Sequence, residues 1–570
     1  MTQAKLVVLL LLPACTAEAP DVFARPAPLS GARILEPGCA GSAYATIQAA
    51  IDDAIDGDVL DICAGTYHER LSVTGKAITL HAQGGPGTTI VDAQTFGRAL
   101  AVSGAADVTV DGLDLINGLD ANTGGVVWCD ASTLNVRNAR IANGVSGNGG
   151  GMAVIGCDGG VSDSTFEDSR GWSGGGLFVD GGTFVARRST FTGNHADWSG
   201  GAMFGNAGAQ MLESTFDGND SRYGGAVYIL DGTGEVSDNT FTNNSSTDDG
   251  GALYVLNGSP LVKGNWFESN DSGDEGGGLR IKLATSVIRG NTFQYNHANY
   301  RGGASKISHE AVELYDNVFV DNDAWSEGGA LYMKESASLL SGNRFSLNSS
   351  AYGGALSIDT GWGGTDLVDC EFLDNTASQD GGQVYVNLPG YATTFTRVTM
   401  TGGTARRGGA VFGDDSELVL HNVVLDRNAA SVSGGALFLS QVTGDLANVV
   451  SWRSSAPSGR AVTIANGGAF DIVNSVFGRS ATGPALQLNS GAAPTVRYSV
   501  FSSNAVRTAG FPDPVGIDGN VDGVPKFRSP GTGDFRLKPR SPLVDAGDPA
   551  ILDPDGTVSN IGRYGGPDAQ

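Results

Sequence analysis

Basic residues are scarce in this 570-residue chain: 35 lysines and arginines stand against 61 aspartates and glutamates, a formal net charge of −26. That deficit argues against nucleic acid and against an anionic membrane surface as partners, because both reward clustered lysine and arginine. Charged residues of either sign make up only 17% of the chain. Histidine and cysteine are rare, at six each, and none of their spacings suggests a zinc site. The apolar run Leu6 to Leu12 is too short to cross a bilayer as a helix. Glycine is the opposite case, with 86 residues. It follows no Gly-X-Y period, so it points to tight turns rather than collagen.

Many of these glycines belong to a phrase that returns at intervals of about 25 residues: Phe-x-x-Asn, a short polar stretch, Gly-Gly-Ala and an apolar strand. Phe191 and Asn194 lead to Gly200-Gly201-Ala202, Phe216 and Asn219 to Gly224-Gly225-Ala226, and Phe241 and Asn244 to Gly250-Gly251-Ala252. The series continues at Phe267, Phe293, Phe319, Phe345 and Phe372, with weaker copies from Leu115 to Phe501. A period of this size means a solenoid, and there is no room in it for a helix. After each Gly-Gly, apolar residues alternate, as in Leu253 and Val255 or Leu331 and Met333, which marks a strand with one buried face. Two β-segments and their turns fit in each unit. The expected fold is all-β, a single-stranded right-handed parallel β-helix of about sixteen or more coils, roughly 75 Å long at about 4.8 Å per coil. Phe would form a core ladder, Asn a ladder at a turn that tolerates left-handed backbone, and Gly-Gly a corner with positive φ.

The N-terminus predicts export. Lys5 precedes the apolar run, and Leu12-Pro13-Ala14-Cys15 resembles a bacterial lipobox, which implies cleavage before Cys15 and lipidation of that residue. An ordinary secretory signal is the alternative, and either exports the chain. Residues 1–14 are then signal, 15–38 an Ala/Pro-rich tether, 39–510 the β-helix with its N-terminal cap, and 511–570 an irregular C-terminal cap. Thr16 in place of aspartate favours the outer membrane or cell surface. Ile47, Ile51 and Ile55 recur every four residues before Gly57, as in a short amphipathic helix capping the first coil. In an exported chain, Cys39 and Cys63 are candidates for one disulfide and Cys129 and Cys157 for another, although sequence does not fix connectivity. Cys370 is left over as a buried free thiol.

The segment Tyr44-Ala45-Thr46-Ile47-Gln48-Ala49-Ala50-Ile51, with Gly65-Thr66-Tyr67-His68-Glu69, resembles the opening of β-helix proteins of the pectate-lyase-like superfamily. The paired Phe-x-x-Asn and Gly-Gly-Ala phrases resemble repeats of polymorphic outer-membrane proteins. The tail from Ser541 to Gly566 resembles the closing segment of exported bacterial β-helix proteins. These resemblances imply the fold but not an activity, because β-helices host lyases, hydrolases, esterases and adhesins. Arg280-Ile281-Lys282 matches one fragment of the polygalacturonase-like motifs, but no Gly-His-Gly or Asn-Thr-Asp accompanies it.

Function should lie where the repeats differ. Counted from each Phe, the stretch before Gly-Gly offers Trp172, Trp198, Tyr223, Asp248, Asp274, Tyr300, Trp325 and Tyr352. A second outward column runs Phe178, Phe204, Tyr228, Tyr254, Arg280, Lys306, Tyr332, Ser357 and Tyr385. Both lose their aromatics centrally, where Asp248, Asp249, Asp274 and Glu275 meet Arg280 and Lys306. Two readings compete. In one, outward aromatics stack for stability and the charges pair in a surface network. In the other, the aromatics Trp172, Trp198, Tyr223, Tyr300, Trp325 and Tyr352 bind sugar rings, and the charges act on them or hold a cation. His195 and His297 read as exposed turn residues. Asp553 and Asp555 are weak Ca²⁺ candidates beside a solvated Asp-Gly turn; no other cofactor is expected. The expectation is a monomeric, lipid-anchored surface protein for adhesion or polysaccharide recognition. The alternatives are a lyase or glycosidase acting on an acidic glycan and a structural spacer.

Overall fold

The computed structural model describes residues 33–359, 361, 363–467, 470–479 and 483–569. Cys15, the signal segment 1–14 and the tether up to residue 32 lie outside the described residues. The central coil from Leu253 shows the plan. Leu253–Leu256 joins a first sheet, Leu261–Lys263 a second, Trp266–Glu268 a third and Asp271–Ser272 a fourth. Each strand pairs in parallel with its counterpart one coil on, Leu253 with Leu279, Val262 with Ile288, Phe267 with Phe293 and Asp271 with His297. The chain is thus an all-β, right-handed parallel β-helix of about 18 turns with almost no helix. Central coils carry four strand segments rather than the expected two. The extra short strands form an 11-stranded fourth sheet, which the polar stretch between Asn and Gly-Gly supplies.

The ladders explain the phrase. Phe rings from Phe166 to Phe372 are fully buried, and consecutive rings such as Phe267 and Phe293 stack at 4.6 Å with 3° between planes. Such pairs contribute about 0.5–1.5 kcal/mol beyond burial of their area. Asn296, fully buried, accepts through its side-chain oxygen from the Asn270 N–H and amide, and donates to the Phe267 carbonyl and to Asn322. The left-handed backbone falls on the residue before each ladder Asn, with φ 55° at Ser269 and Tyr295, and not on the Asn as expected. The Asn must hold its side chain inside the ladder, so its neighbour makes the corner. The two glycines of each pair also divide their roles. Gly276 takes φ +71°, whereas a Cβ on Gly277 would lie 2.2 Å from the Gly303 carbonyl oxygen.

The N-terminal helix α1 (Ile47–Asp53) buries Ile47, Ala50 and Ile51 against the first coil. The Thr46 hydroxyl caps it by accepting from Ala49 N–H, and the Glu69 carboxylate accepts the N–H groups of Ile47 and Gln48. Ile34–Leu35 pairs with Val59–Leu60, so the solenoid begins inside the stretch expected to be tether. Arg33 joins it there by pairing with buried Asp58. Cys39 is bonded to Cys63 and Cys129 to Cys157. Burial pushes the free Cys370 thiol up to about 11.

The C-terminal segment does more than close the last coil. Val521–Asp522 continues the third sheet, and Phe527–Ser529 and Asp534–Leu537 form an antiparallel hairpin. The remainder runs back along the side of the solenoid. Asn474 receives the Asp548 N–H, Asn448 donates to the carbonyls of Asn560 and Gly562, and Asn422 donates to those of Arg563 and Gly565. Beneath it lies a second apolar cluster in which Val450, Trp452 and Val476 meet Phe527, Phe535, Leu543 and Ile561.

Candidate functional site

The Gly276-Gly277 corner folds the fourth sheet towards the outer face of the first. It sets two side-chain tracks against each other. One track is Tyr254, Arg280, Lys306 and Tyr332, adjacent in register on the first sheet. The other is the residue just before each Gly-Gly: Asp249, then Glu275, Arg301, Glu327 and Tyr352. The Lys306 ammonium pairs with Glu275. Arg280 lies 3.7 Å from Asp249 and 3.9 Å from Glu275, and Arg301 lies 3.1 Å from Glu327. Arg280 Nη2 donates to Ser308, while its buried Nε faces Asp249 and Glu275 at ion-pair distance without a hydrogen bond. Tyr332 donates to Asp359.

Arg280 and Lys306 are therefore not in a surface network. They are 3% and 5% exposed, because the bend covers a face that an isolated strand would leave open. Their environment shifts the groups around them. Desolvation raises Asp249 to about 6, and the opposite charge of Arg280 only partly offsets it. Desolvation, helped by Arg280, lowers Lys306 to about 8 against the pull of Glu275. Burial also raises Glu327. Of the sequence candidates, Asp249, Glu275, Arg280 and Lys306 meet in this cluster. Asp248 instead pairs with Arg222 at 2.8 Å, and Asp274 is exposed. Arg301, Glu327 and Tyr332 complete the cluster; the first two escaped the sequence reading because it counted forward from Phe. Counting back from Gly-Gly finds them, since the stretch between varies by a residue.

The same slip corrects the aromatic column. Trp172, Trp198 and Tyr300 precede Gly-Gly by two residues, Tyr223 and Tyr352 by one, and Trp325 by three. They occupy three tracks, with Tyr223 bridged to Ser199 rather than to a tryptophan. Trp172 and Trp198, 54% and 39% exposed, stack at 5.7 Å with 4° between planes. Arg222 lies over Trp198 at 4.5 Å. Tyr223 meets Trp198 edge-on, Arg301 lies over Tyr300, and Tyr352 meets Tyr385 edge-on. Trp325 is 76% exposed, the highest value among large apolar side chains of the described residues. The outer face of the fourth sheet therefore carries the exposed aromatics, and the bend carries the buried charges. His195 and His297 sit on that outer face, paired with Asp220 at 2.6 Å and Asp323 at 2.7 Å; the latter bond raises His297 to about 9.

In the tail, the Asp553 carboxylate accepts from the N–H groups of Asn560 and Gly566, and Asp555 accepts from Thr557. These acceptors close a turn, and among the described residues no group of three or more His, Cys, Asp or Glu is arranged to hold a metal ion.

The family described as right-handed β-helix region matches residues 98–271. No curated protein matches the sequence. Similar solved structures include the PL6 family alginate lyase AlyGC, at 10% identity over 86% of this chain and 100% of that one, TM-score 0.28. Another is a mannuronic acid-specific polysaccharide family 6 lyase from human gut microbiota, at 9% identity over 77% and 86%, TM-score 0.29. The A-module of the Azotobacter vinelandii mannuronan C-5 epimerase AlgE6 shares 13% identity over 74% and 93%, TM-score 0.21. Likenesses at this level carry no argument about what the present chain binds.

Proposed function

We propose that this chain is an exported polysaccharide-recognition protein, lipid-anchored through Cys15 at the bacterial surface, that binds a glycan along the outer face of its fourth sheet without catalysis. The observation that carries this reading is the exposed, parallel Trp172–Trp198 pair with Trp325 on the same face. Trp198 lies between Trp172 and Arg222, so the outward indole faces of Trp172 and Trp325 are the ones open to the apolar faces of sugar rings. Coils repeat at about 4.8 Å, close to one sugar residue, so an extended chain could run along the axis. The resemblance of the repeats to those of polymorphic outer-membrane proteins, and of Leu12-Pro13-Ala14-Cys15 to a lipobox, supports display at the surface. A glycan array tests the reading: the Trp172→Ala/Trp198→Ala protein should lose roughly tenfold in affinity, about 1.4 kcal/mol, and unchanged retention would reject the platform. Substituting Cys15 by Ser should move the protein from the membrane to the soluble fraction; continued membrane association would refute the anchor.

A second reading, a lyase or glycosidase, has one observation in its favour: Asp249 and Lys306 are both shifted towards neutrality. Against it, three acids (Asp249, Glu275, Glu327) face three cations (Arg280, Arg301, Lys306) inside the bend, and the Lys306 ammonium is held by Glu275. A base so occupied must first be released. Formation of unsaturated or reducing ends from any glycan, lost in Lys306→Met, would establish the enzyme instead.

A further inference from the structure

Beside Trp325 the outer face of the fourth sheet sinks into a depression of about 680 Å³, within the range of ligand pockets. Besides the apolar surface of Trp325, Tyr352, Ala324 and Ala351, its lining offers uncharged hydrogen-bonding groups, among them the hydroxyls of Ser326, Ser349, Thr376 and Ser378 and the amide of Gln379. The only charged lining residues are His297 and Asp323, which face each other at 2.7 Å. His297 turns its other nitrogen to Asn299 at 3.2 Å. The pair is self-contained, and no lysine or arginine lines the depression. Asp271 and Asp274 are exposed in neighbouring coils of the same sheet, and the chain as a whole carries −26.

We infer that this depression takes an uncharged sugar residue of a polysaccharide, and that the face discriminates against polyuronates. The inference rests on the recognition reading above and names its ligand class. An exposed indole offers a stacking surface for the apolar side of a pyranose, and the hydroxyl and amide wall can donate to and accept from its hydroxyl groups. The one cation in the lining, His297, is already paired with Asp323, so a sugar carboxylate would find no unpaired cation. It would lose hydration without a charged partner and meet the negative field of the protein on approach. This differs from the acidic glycan expected of the enzyme alternative.

Affinity electrophoresis of the full chain tests it. The gels contain neutral polysaccharides (a soluble β-glucan, a galactomannan, an arabinoxylan) or polyuronates (alginate, polygalacturonate), at low salt without added divalent cations. The intact protein should be retarded by a neutral polymer and not by the polyuronates. Trp325→Ala should weaken that retardation about tenfold or more with an unchanged circular dichroism spectrum and melting midpoint. Retardation by a polyuronate that Trp325→Ala abolishes would overturn the inference. So would neutral binding that Trp325→Ala leaves unchanged; loss of that binding in Trp172→Ala/Trp198→Ala alone would leave the recognition reading standing. No retardation by any polymer would remove both.

Discussion

Replacing Asn296 by leucine is expected to destabilise the solenoid by about 3 kcal/mol or more, although the two side chains are close in size. Leucine cannot accept from the Asn270 N–H or donate to the Phe267 carbonyl, and all of these atoms are buried. Each buried group left without a partner costs about 1–3 kcal/mol. Urea unfolding should show the loss as a lower midpoint. A broadened or two-step transition should accompany it, because coils couple mainly to their neighbours and a central defect divides the array. Asn296→Ser should fall between the two. Serine already holds this position one coil before the Asn series, where Ser169 donates its N–H to Asn194 and accepts the Gly144 N–H. A shift below about 1 kcal/mol for leucine would mean that water reaches the ladder.

Glu275→Leu is expected to cost about 3–5 kcal/mol, the scale for removing one member of a buried charge pair. Glu275 is the hub of the bend, paired with Lys306 and within 4.0 Å of Arg280 and Arg301. Its loss leaves three cations facing Asp249 and Glu327. Adding Lys306→Met should recover most of the loss, because the remaining charges balance again. A double variant no better than the single would show that the two residues are not coupled. The pair also separates stability from recognition. Both variants leave Trp172, Trp198 and Trp325 in place, so glycan retention by the folded double variant should match that of the intact chain.

The repeat made the fold legible. Phe, Asn and Gly-Gly each recur with one spacing and one duty, and identical residues at equal intervals can stack only in parallel register. Alternation after Gly-Gly likewise exposed the first sheet. The fourth sheet escaped because its strands are only two to five residues long, too short for a period to show, and several have no large apolar residue, as in Asp271–Ser272. With that sheet unseen, nothing indicated a bend, and Arg280 and Lys306 read as surface residues when they lie inside a fold of the wall. The charged cluster was half legible. Asp249, Glu275, Arg280 and Lys306 stood out as breaks in aromatic columns, but Arg301 and Glu327 interrupt nothing. The tail was legible as an ending. Its path was not, because Asn422, Asn448 and Asn474 lie more than seventy positions before the residues that they hold.

That path decides how the molecule would bear load. A chain that simply stopped at its last coil would meet a pull on the C-terminus by peeling, one coil edge at a time, with only one rung resisting at any moment. Here the tail lies across successive coils, held by Asn474, Asn448 and Asn422 and, further back, by Arg563 on the carbonyls of Arg397 and Val398. A pull towards the first coil loads these attachments in parallel, whereas a pull away from it must release Arg563 and Asn422, then Asn448, then Asn474, before Phe527, Phe535 and Leu543 leave Trp452, Val450 and Val476. In either direction the last coil is exposed to the load only after the tail has been stripped from the earlier ones.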